Sequence, residues 1–231
     1  AINSKFSQDS LNLANSNSDL NIANESTEKN FSIFTTPSKD SSYLAGQTPL
    51  KSQYTTENIG LAAFNNGKLV GELNAIETMC YLIIANKLEI AQISIPSPFY
   101  PNETMDITIK ANKNTKCTVD LVNGTPYINI NIDILSRLTS MDVGSNTLNE
   151  ERVKKVEEYT NKYLEENILS YLYKTSKDFK TDINGFGRFA VKNFLIWNDW
   201  IDYNWLHKYE SATFNVTVKS DFKSSYLLME S

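Results

Sequence analysis

One histidine, two cysteines and a scatter of carboxylates are the groups from which this 231-residue chain could build a reactive site. His207 has no second histidine with which to form a metal cluster or a triad. The sequence contains no H-E-x-x-H, G-x-S-x-G or Walker A pattern. Cysteine–histidine catalysis would have to use His207 from a polar C-terminal loop. Cys80 and Cys117 form no C-x-x-C pair. Each falls on an apolar periodic face, where a free cysteine behaves as a small hydrophobe. Both are expected to be unpaired and buried. Gly185-Phe186-Gly187 is too short for a G-x-G-x-x-G loop and follows a helix rather than a strand. It reads as a tight connection between helices. No metal-ligand spacing and no cofactor fingerprint stands out.

Glu77 is the carboxylate whose surroundings are most informative. It closes the stretch GLAAFNNGKLVGELNAIET, Gly60 to Thr78. Asn66-Gly67 is a strong hairpin signal, because a type I′ turn needs positive φ at both central residues. It joins IGLAAF to KLVGEL. Asn74 then ends the strand and can cap a helix, with Glu77 at the third helical position of a capping box. Ile76, Met79, Cys80, Ile83 and Ile84 follow on one helical face. A general acid would need a second titratable group beside it, and no partner is evident. Glu77 is therefore read as structural, tied to the backbone N–H of Asn74 and favoured by the helix dipole.

Composition narrows the class. Hydrophobic residues make up 41% and charged residues 21%, as in an ordinary globular protein. A domain of roughly 190 residues buries about 70% of its unfolded surface, so it needs no disulfide or metal to fold. The net charge of −5 and pI near 5.1 argue against a nucleic-acid binder, which shows a basic face, and against electrostatic docking on anionic lipid. No run approaches the ~20 apolar residues of a membrane span, and AINSKFSQDS lacks a signal-peptide core. The N-x-[ST] sequons, such as Asn102–Thr104 and Asn215–Thr217, are what a chain rich in Asn, Ser and Thr produces by chance. Residues 1–45 are expected to be an Asn/Ser-rich linker or the end of a preceding domain. The doublet SLNLAN and DLNIAN within them is too short for a solenoid. Residues 46–231 form the expected domain.

The remaining elements predict an α+β fold, with an antiparallel or mixed sheet packed against a long helix and shorter helices. Ile90–Ile95 is one strand. Met105, Ile107 and Ile109 alternate with polar residues as a half-buried strand does, and Cys117, Val119 and Leu121 keep the same parity. Asn123-Gly124 is a second hairpin signal. Ile128, Ile130, Ile132 and Ile134 then give the cleanest period-two pattern in the chain and are expected to face helices. Thr147-x-x-Glu150 is a capping box before a helix of about 28 residues. Glu150–Lys154, Glu151–Lys155 and Glu158–Lys162 have favourable i,i+4 spacing. Lys174 and Lys177 suit its C-terminal dipole. Its carboxylates are a solvated face. Trp197, Trp200 and Trp205 follow, readable either as a binding patch, since such residues anchor interfaces, or as a core corner. Phe214, Val216 and Val218 close the pattern as a strand.

The stretch from Gly60 to Thr78 resembles the block "G-x-A-V-F, turn, K-L-V-G-x-L-x-x-x-E-T" of the Ger(x)C proteins, the C subunits of nutrient germinant receptors in spore-forming bacteria. Asp182-Ile183-Asn184-Gly185-Phe186-Gly187 is similar to that family's D-[IV]-F-G-F-G block, with Asn184 in place of an aromatic. Trp197, Trp205 and the strand Phe214–Val218 follow in the family's order. The resemblance spans roughly residues 55–223. Its motif residues here are Gly60, Phe64, Gly71, Glu77, Asp182, Gly185, Phe186, Gly187, Trp197 and Trp205, all expected to be structural.

What the resemblance implies is a C-terminal domain of a lipoprotein on the outer face of the spore inner membrane. It implies two integral membrane subunits as partners and an N-terminal lipid that this chain does not carry. The family has no established catalytic activity, and the resemblance implies no cofactor. Two functions are open: a non-catalytic interaction or signal-coupling domain, or a module that itself binds a germinant such as an amino acid or sugar. The first should present an exposed apolar or aromatic patch. The second should present a concave pocket with a few convergent polar groups.

Overall fold

The computed structural model describes residues 60–100, 103–141 and 150–222. The boundary expected at residue 45 and the cap residue Thr147 lie outside them. Two strands, β1 (Leu61–Asn65) and β2 (Lys68–Leu73), form an antiparallel hairpin around Asn66-Gly67. Both turn residues have positive φ, 49° and 79°, as the type I′ signal requires. Helix α1 (Ala75–Ile84) follows directly. Then come β3 (Ile90–Pro96), β4 (Thr104–Val122) and β5 (Thr125–Met141). The long helix α2 (Glu150–Tyr173) passes into a π-helical turn, Lys174–Asp178. Short helices α3 (Gly187–Ala190), α4 (Trp197–Tyr203) and α5 (Trp205–Tyr209) lead to β6 (Thr213–Phe222).

The main sheet has the order β3-β4-β5-β6. The first three strands are antiparallel neighbours and β6 is parallel to β5. The sheet is thus mixed. A parallel neighbour needs a crossover connection, and α2 through α5 provide it. The fold is α+β, as the alternation predicts. Ile128, Ile130, Ile132 and Ile134 are all buried. They stand beside Phe214, Val216, Val218 and Ser220 of β6 in register. Against this face lie Val153, Val156, Leu164, Ile168 and Leu172 of α2, all buried in the same core. The two alternating groups of like parity, around Ile107 and around Val119, lie on one strand of 19 residues. Its register against β5 is irregular between Ala111 and Lys116.

A parallel strand at a sheet edge leaves a row of backbone N–H groups without a neighbouring strand. Here α2 supplies the acceptors. Glu165 Oε1 accepts from Val218 N at 2.8 Å, and Asn161 Oδ1 accepts from Ser220 N at 3.0 Å. The spacing explains the match. Four residues of helix advance about 6 Å, and two residues of strand advance roughly 6.6 Å. An i,i+4 pair of polar side chains can therefore seal an i,i+2 pair of strand amides. This fixes how α2 lies along β6.

Several local expectations need correction. The α-helix is 24 residues long, because after Tyr173 the winding widens: Phe179 N donates to Lys174 O, five residues back, at 3.1 Å. Glu150–Lys154 pairs at 3.5 Å, but Lys162 reaches forward to Glu166 at 3.8 Å rather than back to Glu158. Cys80 is buried, whereas Cys117 is only half-buried. It sits toward the turn end of β4.

Candidate functional site

The capping box forms as its spacing requires. Glu77 N donates to Asn74 Oδ1 at 2.9 Å, and Asn74 N donates to Glu77 Oε2 at 2.8 Å. The sequence does not reveal a further partner, Lys174, 97 residues downstream. Its Nζ lies 2.8 Å from both Glu77 carboxylate oxygens and donates to Glu72 O at 3.1 Å. Lys174 is thus not free to serve the end of α2. Its ammonium also stands over the Phe179 ring, 5.3 Å from the centroid. That ring fills the space beside Gly71, where any Cβ would fall inside its van der Waals surface. Gly60, with φ of 82°, abuts the Leu73 carbonyl at the open end of the hairpin. Phe64 is half-buried on β1, where the register slips against β2.

Asp182 organises the second motif. Its Oδ1 accepts from Phe186 N at 2.8 Å. Its Oδ2 accepts from Gly187 N at 2.7 Å and from Trp205 Nε1 at 2.9 Å. Three donors on one carboxylate hold the loop closed and dock α5 onto it. Gly185 turns the loop with φ of 70°. A Cβ on Gly187 would lie 2.9 Å from Trp205 Nε1, so the indole sits where only glycine leaves room. Phe186 is buried against Tyr209 and Phe214. Asn184 Oδ1 accepts from Tyr171 Oη at 2.7 Å. The carbonyl of a side chain that replaces an aromatic is in this way used by α2.

From these clamps an aromatic row runs outward. Phe214, Tyr209, Trp205, Trp200 and Phe194 follow one another with ring centroids 5.5–5.9 Å apart. Tyr203 Oη donates to Gly124 O at 3.0 Å and Asn193 Nδ2 to Val119 O at 2.9 Å, tying the corner to the turn between β4 and β5. The two readings of the tryptophans therefore divide. Trp205 is core, at 8% exposure. Trp197 is 65% exposed and sits in an apolar strip with Leu195 at 102%, Ile196 at 60%, Ile201 at 58% and Leu206 at 40%. On α4, Trp197 and Ile201 are one turn apart on the outward face, while Trp200 and Tyr203 point inward. The run Phe194-Leu195-Ile196-Trp197 was the available signal, since four apolar residues in a row cannot all face one core.

The buried phenols and the two thiols are held in their neutral forms. Burial pushes the Tyr171 and Tyr209 phenols up, and the Asp182 charge adds to it. Burial, with the Glu77 charge, raises the Cys80 thiol. Burial raises Cys117 to about 11, although Arg188 opposes the shift. His207 is exposed, with Glu210 Oε1 at 4.0 Å. Among the described residues no three His, Cys, Asp or Glu side chains gather where a metal could be held. A depression between Ile83, Leu88, Thr115 and Ile132 encloses about 10 Å³. That volume suits roughly one water. The arrangement can bind through a rigid apolar strip; it offers no activated nucleophile at the clamps.

Comparison with known proteins places these features. The family model described as "Spore germination B3/GerAC like, C-terminal" matches residues 59–225. No curated protein matches the chain. A solved structure, "Crystal Structure of the GerBC protein", is similar in fold, with a TM-score of 0.59 and 18% sequence identity. The match covers 71% of this chain and 51% of that one. This chain thus spans about half the length of the solved protein.

Proposed function

Because this chain belongs to the spore germination B3/GerAC-like family, of which residues 59–225 are the C-terminal domain, we propose that it is the non-catalytic docking and signal-coupling part of a germinant receptor C subunit. The observation that carries the docking role is the strip Leu195, Ile196, Trp197, Ile201 and Leu206, exposed on a corner whose inner half is fully packed. Exposed aliphatic and aromatic residues on a preorganised scaffold cost little entropy to bury and anchor interfaces. The occupant in this reading is an integral membrane subunit of the receptor.

No described helix is long and apolar enough to cross a membrane. In this reading the full-length protein is held at the outer face of the spore inner membrane by an N-terminal lipid. Stable anchoring takes two acyl chains or an equivalent second signal. The rival reading, a domain that itself holds an amino acid or sugar, draws no support from the depression near Thr115, which is too small for either.

The test uses the full-length protein in spores. A photo-crosslinker in place of Ile201, on the same exposed strip, should capture a membrane subunit. Leu195→Ala with Trp197→Ala should abolish that capture and impair germination by the receptor's nutrients. Germination by agents that bypass receptors should be unchanged. Normal nutrient germination by the double variant, in a strain with no redundant receptor, would overturn the docking role.

A further inference from the structure

The aromatic corner and the β1–β2–α1 unit share one piece of chain, the π-helical turn and the loop that follows it. One side of this segment grips the hairpin unit. Lys174 Nζ holds Glu77 at 2.8 Å and Glu72 O at 3.1 Å, and Phe179 fills the space at Gly71. The other side grips the corner. Thr175 Oγ1 lies 3.3 Å from Tyr209 Oη, and Asp182 Oδ2 accepts from Trp205 Nε1 at 2.9 Å. Lys174 and Thr175 are adjacent residues facing opposite bodies. The widened winding that places them so is itself the rarer helix form, used mostly as single turns and often where function requires it. Thr175 and Ser176 are fully buried, so neither grip can shift without moving the backbone of the turn.

We propose that residues 174–187 are a coupling joint, through which a load on the corner that carries the docking strip reaches the hairpin and α1. The partner-binding half of this idea rests on the function proposed above; the joint itself does not. Energetic coupling between separated sites requires an element whose arrangement both sites bias, and it must be reciprocal. Glu77 and Trp205 each meet the joint from its own side: Glu77 through Lys174, Trp205 through Asp182.

The experiment is a double-mutant cycle on the 231-residue chain with Glu77→Gln, which keeps shape, and Trp205→Phe, which keeps an aromatic ring but removes the indole N–H. Unfolding equilibrium constants of the four proteins are compared. Independent distant sites add within roughly twofold. Coupling of about fivefold or more is expected through the joint. Additivity would overturn the proposal. Hydrogen exchange provides the second readout. Glu77→Gln should accelerate amides of α5 as well as α1, and Trp205→Phe should accelerate α1 in return. Acceleration confined to each variant's own neighbourhood would also overturn it. Because both measurements use the isolated chain, a failed joint is distinguishable from a failed docking strip, which only the spore experiment reads.

Discussion

Trp205 and Trp197 lie eight residues apart on one aromatic run, yet the fold treats them oppositely. Trp205 is buried, donates its indole N–H to Asp182, stacks on Trp200 and meets Tyr209 at a tilt. Trp197 has most of its surface in water and Leu195 beside it has all of it. The difference is one of satisfied polar groups. A buried indole N–H needs an acceptor, and Asp182 is placed to supply it. Among the described residues no hydrogen bond or ring contact holds Trp197 in this way. The inner half of the corner therefore stabilises the domain, and the outer half leaves apolar surface exposed, which the proposed partner would cover. Substitutions in the two halves should separate stability from binding.

The sharpest break comes at Asp182. Removing its carboxylate strands the Phe186 and Gly187 amides and the Trp205 indole in a partly buried loop. Hydrogen bonds to a charged acceptor are worth more than neutral ones, and unsatisfied buried donors add a penalty. Asp182→Ala should destabilise by about 3 kcal/mol or more. Asp182→Asn keeps an acceptor oxygen and should cost less. Denaturant midpoints at constant slope measure both. Gly71→Ala comes next. The new methyl must displace the Phe179 ring, which Lys174 caps from above. Overpacking of this kind costs about 2 kcal/mol. A Gly71→Ala protein as stable as the parent would mean the ring moves freely, and the hairpin end would then not belong with the inner half.

The packed part of the domain was legible from the sequence only where its logic is local. The turns at Asn66-Gly67 and Asn123-Gly124, the Asn74–Glu77 box and the isoleucine row of β5 all depend on residues within a few positions of one another. Their spacing carries the answer. Lys174 is different. Its partner is 97 residues away, and a lysine near a helix end looks the same whether it serves the helix dipole or a remote carboxylate. The π-turn is equally silent, since it changes only which residues face which body. Parallel pairing of β6 could be left open as a mixed sheet, because an alternating strand reads identically in either direction. In the corner, type alone could not decide between Trp197 and Trp205. What distinguishes them is a carboxylate at Asp182 that is near only one, and that proximity exists only after folding.

Glu77→Gln sharpens the comparison at smaller scale. The amide oxygen can still accept from Asn74 N, so the cap persists. What is lost is the charge facing Lys174, on a pair with side-chain exposures of 18% and 29%. Screening limits such a pair, and a cost of about 1 kcal/mol is expected. Asn74→Ala should cost a similar amount by removing the cap oxygen from Glu77 N. If Glu77→Gln were neutral while Asn74→Ala was costly, the capping box would be the whole role of Glu77 and the contact to Lys174 incidental.

The smallest effect on stability is expected at the strip, and there it is most informative. Trp197→Ala removes a side chain that is 65% exposed and makes none of the ring contacts of the inner row. Surface changes away from special features stay within about 0.5 kcal/mol. The midpoint should be unchanged and hydrogen exchange across α5 and β6 undisturbed. Trp205→Phe is the control: it keeps an aromatic ring but leaves Asp182 without one donor, so it should lower the midpoint. If Trp197 anchors a partner, truncating it should cost about 2 kcal/mol of binding or more, a drop of roughly thirtyfold in affinity. Capture of a membrane subunit should fall accordingly while the protein stays folded. A Trp197→Ala protein that loses stability as Trp205→Phe does would erase the division, because the outer half would then be part of the core.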